Sequence, residues 1–319
     1  AIRVITVAVK VRFHHALGAL HLMVQAIHVL KEKGVRISEK EAEAVCIAIL
    51  LHDIGHGPFS HALENVLIDI SHEELSLSYM HKLNIEFDNK LDVAIQIFKN
   101  EYPRAFLHQL IAGQLDLDRM DYLKRDSFFT GVAEGVIGHD RIIKMLNVED
   151  DQLVVEEKGI YSVEKFLLAR RLMYWQVYLH KTSIAVEQML IQFIRIFKDN
   201  IATNLELVTA NPLRYFLEKD RSNESLQKII IQHAQLDDND IYGLLKSSKQ
   251  SPNKILRYLA ESILNRKLFK IELHEQAVPA NLIKEKLKKL KEKLDLNFDE
   301  AKQLVLMGTE NNQVYSRTK

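Results

Sequence analysis

An apolar run from Ala44 to Leu51 delivers His52 and Asp53 side by side, and Ile54-Gly55-His56-Gly57-Pro58-Phe59-Ser60-His61 follows at once. Gly55, Gly57 and Pro58 break the helix that the run predicts, which turns His56 and His61 back toward the same place. Three imidazoles and a carboxylate then share one turn and its loop. A lone histidine on a helix is ordinarily a hydrogen-bonded surface or core residue. The joint pattern of His-Asp after an apolar run, a glycine-broken turn and further histidines points instead to a site. Imidazole and carboxylate without thiolate favour one divalent ion such as Fe, Mn, Ni, Zn or Mg over a soft metal or a structural zinc.

A metal held only by His52 and Asp53 is under-coordinated, so other segments must supply ligands. Upstream, Arg12-Phe13-His14-His15-Ala16-Leu17-Gly18 places an arginine and two histidines at the start of a helix, where Gly18 permits close packing. Downstream, Asp116-Leu117-Asp118-Arg119-Met120-Asp121-Tyr122 carries three carboxylates with a basic and a phenolic residue, and Lys124-Arg125-Asp126 follows.

The elements that must bring these segments together are helical from Arg12 to about Phe197, with apolar residues returning every three or four positions. Ala16, Leu17, Leu20, Val24, Ile27 and Leu30 form one such stripe, closed by Gly34; Ala42, Val45 and Ile49 form another. Ser38 and Glu41 have capping-box spacing for the second helix. The charged, β-branched stretch Asp150 to Glu157 predicts a hairpin or edge strand, and Ser162 to Phe197 a long amphipathic helix rich in aromatic and basic residues. Leu268 to Leu273 and Gln303 to Met307 are strand candidates flanking a basic amphipathic helix over Lys284 to Lys293, whose lysines suit a solvated face. The expected organisation is mainly α: a helical domain over 1–267 and a small α+β C-terminal region over 268–319.

The chain has 319 residues, 47% of them apolar, enough to bury a substantial core. Its 43 basic and 43 acidic residues cancel, so no overall positive field recruits nucleic acid or an anionic membrane. A basic site must be local. The single cysteine, Cys46, allows no internal disulfide and fits a reducing, cytoplasmic setting. No apolar run reaches the roughly 18 residues of a membrane span. Ala1 to Val11 alternates with β-branched residues and lacks the regions of a signal peptide.

Arg-Phe-x-His-x-Leu-Gly (12–18), His-Asp-Ile-Gly-His-Gly-Pro-Phe-Ser-His (52–61) and Asp-x-Asp-Arg-x-Asp-Tyr (116–122) together resemble the HD-domain deoxynucleoside triphosphate triphosphohydrolases, the bacterial dGTPase-like proteins and the mammalian SAM- and HD-domain enzyme. The resemblance runs from about Arg12 to about Phe197. It implies a helical HD fold in which His15, rather than His14, joins His52, Asp53 and Asp118 around one metal, and in which water attacks the α-phosphate to release nucleoside and intact triphosphate. It places His56, His61, Glu64 and His72 in the catalytic neighbourhood, with Glu64 standing where relatives commonly carry aspartate. Phosphate charge needs cations, for which Arg12, Arg119, Arg170 and Lys181 are the candidates. By the same resemblance Arg119 and Arg170 face the phosphates, Tyr122 and Tyr178 the sugar, and Asp126 its 3′-hydroxyl. It further implies a nucleotide substrate, and a dimer or tetramer with a regulatory nucleotide between subunits. Hydrolysis of another nucleotide, such as a monophosphate, a cyclic nucleotide or an alarmone, and nucleotide sensing with little turnover are the alternatives.

Overall fold

Few prolines and sustained three- and four-residue apolar spacing make the chain helical, and the computed structural model is mainly α. It describes residues 12–208, 211–218, 224–274 and 276–308; the segment 1–11 and the side chains of His61 and Asn211 lie outside that description. Helix α1 (Arg12–Glu32) ends at Gly34, whose φ of 86° suits glycine. Its buried face is His15, Ala19, Leu22, Met23, Ala26, Ile27 and Leu30, so the expected stripe is correct only in part: Leu17 and Val24 point outward. A helix apolar around most of its circumference leaves its rotation to the neighbours, and here packing of Gly18 against α6 (Leu117–Thr130) decides it.

Helix α2 (Glu39–Leu51) starts at the predicted capping box: Ser38 Oγ accepts the Glu41 amide, and Glu41 accepts the Ser38 amide at 2.9 Å. Helices α3 (His72–Glu86), α4 (Asp92–Phe98) and α5 (Ala105–Gln109) lead to α6. The first apolar core, from Ala19 to Val177, lies among these helices and the elements that follow as far as Val177.

After α7 (His139–Met145) comes a hairpin, β1 (Leu146–Glu149) paired antiparallel with β2 (Gln152–Val155), Glu149 facing Gln152 across the turn; the stretch expected as a hairpin or edge strand, Asp150 to Glu157, supplies its turn and second strand, and the first strand precedes it. Asp150 and Asp151 turn it with φ of 47° and 62°, the twist that matches the flanking strands.

The helix expected over 162–197 is broken. Helix α8 (Ile160–Met173) passes into a π-helical turn, Tyr174–Tyr178, before α9 (Lys181–Asp199) begins. Between them His180 adopts an extended backbone and its imidazole accepts the Thr182 amide, a local bond that competes with helix continuation. Short helices α10 (Ile201–Asn204), α11 (Asn211–Leu217) and α12 (Leu226–His233) follow, then α13 (Asp238–Ser247) and α14 (Lys254–Leu264). They share with α9 a second apolar core that also takes in Phe59, Leu63 and Leu67.

The two strands expected in the C-terminal region do not form. Residues 268–274 are irregular, with Leu268 and Phe269 packed on the second core, and among the described residues no strand lies ready to pair with them. Gln303 ends helix α16 (Phe298–Gln303), which an Asn297–Glu300 capping box starts, and 304–308 are irregular. The basic helix is present as α15 (Ala280–Leu294); it buries Leu287 and pairs Lys286 with Glu272 and Lys289 with Glu285 at the surface. Among the described residues no helix is long and apolar enough to cross a membrane.

Candidate active site

His52 is the last helical-geometry residue of α2, and its Nδ1 donates to the Ile49 carbonyl at 2.6 Å. That bond selects the tautomer with a bare Nε2, which is buried and has no hydrogen-bond partner among the described residues. His15 on α1 is held likewise: its Nδ1 lies 2.6 Å from Asp121 Oδ2, and Arg125 holds the same carboxylate at 2.9 and 2.8 Å. A side chain at position 18 would collide with Asp121 and Arg125, so Gly18 allows this approach. Both imidazoles therefore present Nε2 to one point.

Two carboxylates meet them there. Asp118 Oδ1 is 3.0 Å from His15 Nε2 and 3.4 Å from His52 Nε2; Asp53 Oδ1 is 3.3 Å from His52 Nε2, and Asp53 Oδ2 is 3.8 Å from His15 Nε2. Donors about 2.1 Å from a shared ion stand roughly 3.0 to 3.4 Å apart for right-angle to tetrahedral bonds, and three of these four spacings fall in that range, as a single divalent ion needs. Donor atoms of His15, His52 and Asp53 lie within 4.8 Å of one another, and Asp118 is drawn in through both imidazoles. The outer carboxylate and carbonyl behind the two histidines are what metal-binding imidazoles require.

Left to these groups alone, the cluster is a charge-paired knot. Burial would push the His15 imidazole down, but hydrogen bonds to Asp118 and Asp121 outweigh it and hold it up at about 10. Burial opposes the charge of Asp53 and Asp118 too, yet His56 and His52 hold Asp53, and His15 and His52 hold Asp118, below the usual carboxylate range. Arg12 completes the outer ring, donating to Asp53 Oδ2 at 3.3 Å and to Ser60 Oγ at 3.0 Å.

The glycine-broken turn then places the proton-transfer candidates. Gly55 lies so close to the His72 carbonyl and the Ser76 amide that any β-carbon would clash, and its amide donates to Ser76 Oγ at 2.9 Å. His56 stacks on His72 with ring centres 4.1 Å apart, and its Nε2 is 3.5 Å from Asp53 Oδ1. Glu64, despite its extra methylene, reaches His72 Nδ1 at 2.7 Å and the His72 amide at 2.9 Å. The His61 side chain lies outside the described residues.

Around Asp118 the outcome for the expected nucleotide contacts is mixed. Tyr178 donates a short hydrogen bond to Asp126, and its ring meets Tyr122 edge-on with centres 6.5 Å apart, so these three gather at one place. Arg170 is buried on α8, close enough for its charge to oppose the burial-driven rise of the Tyr122 hydroxyl. Arg119 is committed elsewhere: it pairs closely with Asp116 and donates to the Gly113 carbonyl at 2.6 Å. Lys181 is exposed at the start of α9, and no hydrogen bond or ion pair joins it to the cluster among the described residues.

The chain matches the HD domain over residues 12–126 and the HD associated region over 137–231. A crystal structure of a phosphohydrolase from Bacteroides thetaiotaomicron superposes with a TM-score of 0.87 at 50% identity, covering 92% of this chain and 74% of that one. This chain belongs to the HD-domain phosphohydrolases. The His15, His52, Asp53 and Asp118 cluster and the His56–His72 stack lie inside the stretch matched to the HD domain. Among relatives, protein YwfO of Bacillus subtilis is 29% identical over 268 residues, which are 81% of this chain and 60% of YwfO. The Dictyostelium discoideum protein named deoxynucleoside triphosphate triphosphohydrolase SAMHD1 homolog is 29% identical over 283 residues, 79% of this chain and 54% of that protein. The chain thus spans little more than half the length of these two relatives.

Several groups at the site have no role assigned from the sequence. Asp121 had a signal, since a carboxylate one helical turn after Asp118 faces the same way. Ser60 and the Ile49 carbonyl had none, because their roles depend on where Arg12 and the His52 ring end up. Asp238, 179 residues from the Phe59 amide that it accepts at 2.9 Å, could be found only in three dimensions.

Proposed function

We propose that this HD phosphohydrolase converts deoxynucleoside triphosphates to deoxynucleoside and intact triphosphate, with one divalent ion held by His15, His52, Asp53 and Asp118. The observation that carries the reading is the convergence of those four side chains beside the His56–His72 stack. A divalent ion bound there would polarise a phosphoryl oxygen and ease attack by water. Arg12 keeps Asp53 from swinging out of the donor set. Glu64 accepts the Nδ1 proton of His72, which leaves Nε2 as the nitrogen that exchanges a proton with substrate. In the net reaction the water oxygen bonds the α-phosphorus, the bond from phosphorus to the 5′-oxygen breaks, and a proton is delivered to that oxygen. His56, stacked on His72 and touching Asp53, is the second imidazole available for this transfer.

Arg170, and Arg119 once it leaves Asp116, would supply the cationic side of the triphosphate, with Lys181 closing in only on substrate binding, and Tyr122, Tyr178 and Asp126 the sugar side. A Tyr178 ring against the sugar crowds a 2′-hydroxyl, which favours deoxyribose; the name of the Dictyostelium relative supports the same substrate class. The full reach of Glu64 to His72 supports turnover over nucleotide sensing. Cytoplasmic dimers or tetramers with a regulatory nucleotide go with this reading, and the exposure of Phe128 (80%) and Trp175 (51%) supports a subunit contact. Size-exclusion chromatography with and without nucleotides opposes that part if only monomer elutes.

The deciding experiment incubates the protein with each deoxy- and ribonucleoside triphosphate under Mn, Mg, Fe, Ni and Zn, and resolves products by ion exchange. Intact triphosphate from the deoxynucleotides is expected. Its absence under every metal overturns the substrate, and pyrophosphate or orthophosphate in its place marks a hydrolase of another phosphate ester.

A further inference from the structure

The catalytic turn is gripped from outside the HD domain. Phe59 and Ser60 both sit in the left-handed region, with φ of 56° and 50°, a conformation that residues bearing a β-carbon keep only where their surroundings hold them. Within the turn the Ser60 amide donates to the Gly57 carbonyl at 3.0 Å and the Ala62 amide to the Phe59 carbonyl at 3.1 Å, but no side chain caps Phe59 there. The side-chain hold on Phe59 comes from α13. Asp238 Oδ1 accepts the Phe59 amide at 2.9 Å, and the Phe59 ring packs on Tyr242 of the same helix with centres 5.5 Å apart. One residue further on, Ser60 Oγ accepts Arg12 Nε at 3.0 Å, and Arg12 in turn bonds Asp53 Oδ2 at 3.3 Å. The charge of Asp238 also attracts Arg12. A continuous set of contacts therefore runs from the start of α13 to a carboxylate of the metal cluster.

We propose that Asp238 is a positioning residue for the metal centre: through the Phe59 amide it holds the left-handed turn in which Ser60 keeps Arg12 against Asp53. This ties the helical layer after the HD domain to the chemistry without any contact between Asp238 and the ligands. The link works through hydrogen-bond geometry, so an asparagine, whose Oδ1 can accept the same amide, preserves it and an alanine does not.

The test uses the full chain and Mn2+ alone, with affinity read from the electron paramagnetic resonance of the free ion and folding from the thermal melting curve. It does not depend on which nucleotide is hydrolysed. Asp238→Ala is expected to weaken Mn2+ binding about tenfold, as loss of an outer-shell partner does, and Asp238→Asn to restore it. Ser60→Ala should weaken binding in the same direction, and the Asp238→Ala/Ser60→Ala double variant should bind no worse than the weaker single one, because both act on one contact path. Wild-type affinity in Asp238→Ala, or losses that multiply in the double variant, overturns the proposal. Where Asp238→Ala does not fold, Asp238→Asn decides alongside Ser60→Ala: wild-type affinity in the asparagine variant supports the link, and a loss matching Ser60→Ala overturns it.

Discussion

At the metal end of the site each imidazole is held from behind, His15 by Asp121 and His52 by the Ile49 carbonyl, so that both Nε2 atoms stay directed at Asp53 and Asp118. At the proposed nucleotide end the side chains hold one another: Tyr178 bonds Asp126, and Arg119 pairs with Asp116. The first arrangement is ready for its ligand, since the bonds that orient it are not the ones the ligand needs. On the proposed function the second must exchange partners before it can grip sugar or phosphate. The physical difference is that the first set of bonds lies behind the donor atoms, whereas the second occupies the groups that the proposed substrate needs, and it predicts where substitution is felt as loss of chemistry and where as a change in binding.

The largest effect should come from His52→Ala, which removes a donor that no neighbour can replace. Turnover should fall by about a thousandfold or more, equivalent to the several kcal/mol of charge stabilisation a metal ion supplies. Elemental analysis should show the metal lost with it; retained metal and turnover would show that the two ends do not differ in this way. His72→Ala should lower kcat by roughly a hundredfold or more while metal content stays at the wild-type level, the mark of lost proton transfer. Wild-type turnover in that variant sinks the role given to the Glu64–His72 pair.

Asp121→Asn sharpens the claim that the metal end is oriented from behind. It keeps the shape and removes the charge behind His15, and Mn2+ affinity measured by calorimetry should drop about tenfold or more. A pH series examines the same knot. Because His15 is held up at about 10 against an ordinary 6.5, its protonated form stabilises the metal-free fold fully below about 6.5, and that contribution is lost as pH rises through 10. A bound ion must displace the Nε2 proton, so apparent Mn2+ affinity should rise with pH by up to about tenfold per unit between roughly pH 6 and pH 8. Titrations in buffers of different ionisation enthalpy should register the released proton, and a flat profile would count against it.

The smallest effect belongs to the self-paired end. Tyr178→Phe removes the bond to Asp126, leaves metal content alone and should shift KM for deoxynucleotides a few-fold, consistent with about 1 kcal/mol for one hydrogen bond. A loss of kcat equal to that of His72→Ala would erase the contrast between the two ends.

What the amino-acid sequence determined was local and chemical. The His52-Asp53 pair at the end of an apolar helix, the glycine break after it and the Ser38–Glu41 cap all follow from interactions spanning a few residues, and each stands in the fold as read. The rotation of α1, the interruption at Tyr174–Tyr178 and the irregular tail did not follow, because each is settled by what packs alongside. The same division runs through the site. Donor types were visible in the chain, whereas the convergence of His15, His52, Asp53 and Asp118, the backing of His15 by Asp121 and the grip of Asp238 on Phe59 arise only when distant helices share one core. Side-chain chemistry is a property of the residue; distance and orientation between segments more than a hundred residues apart belong to the packing.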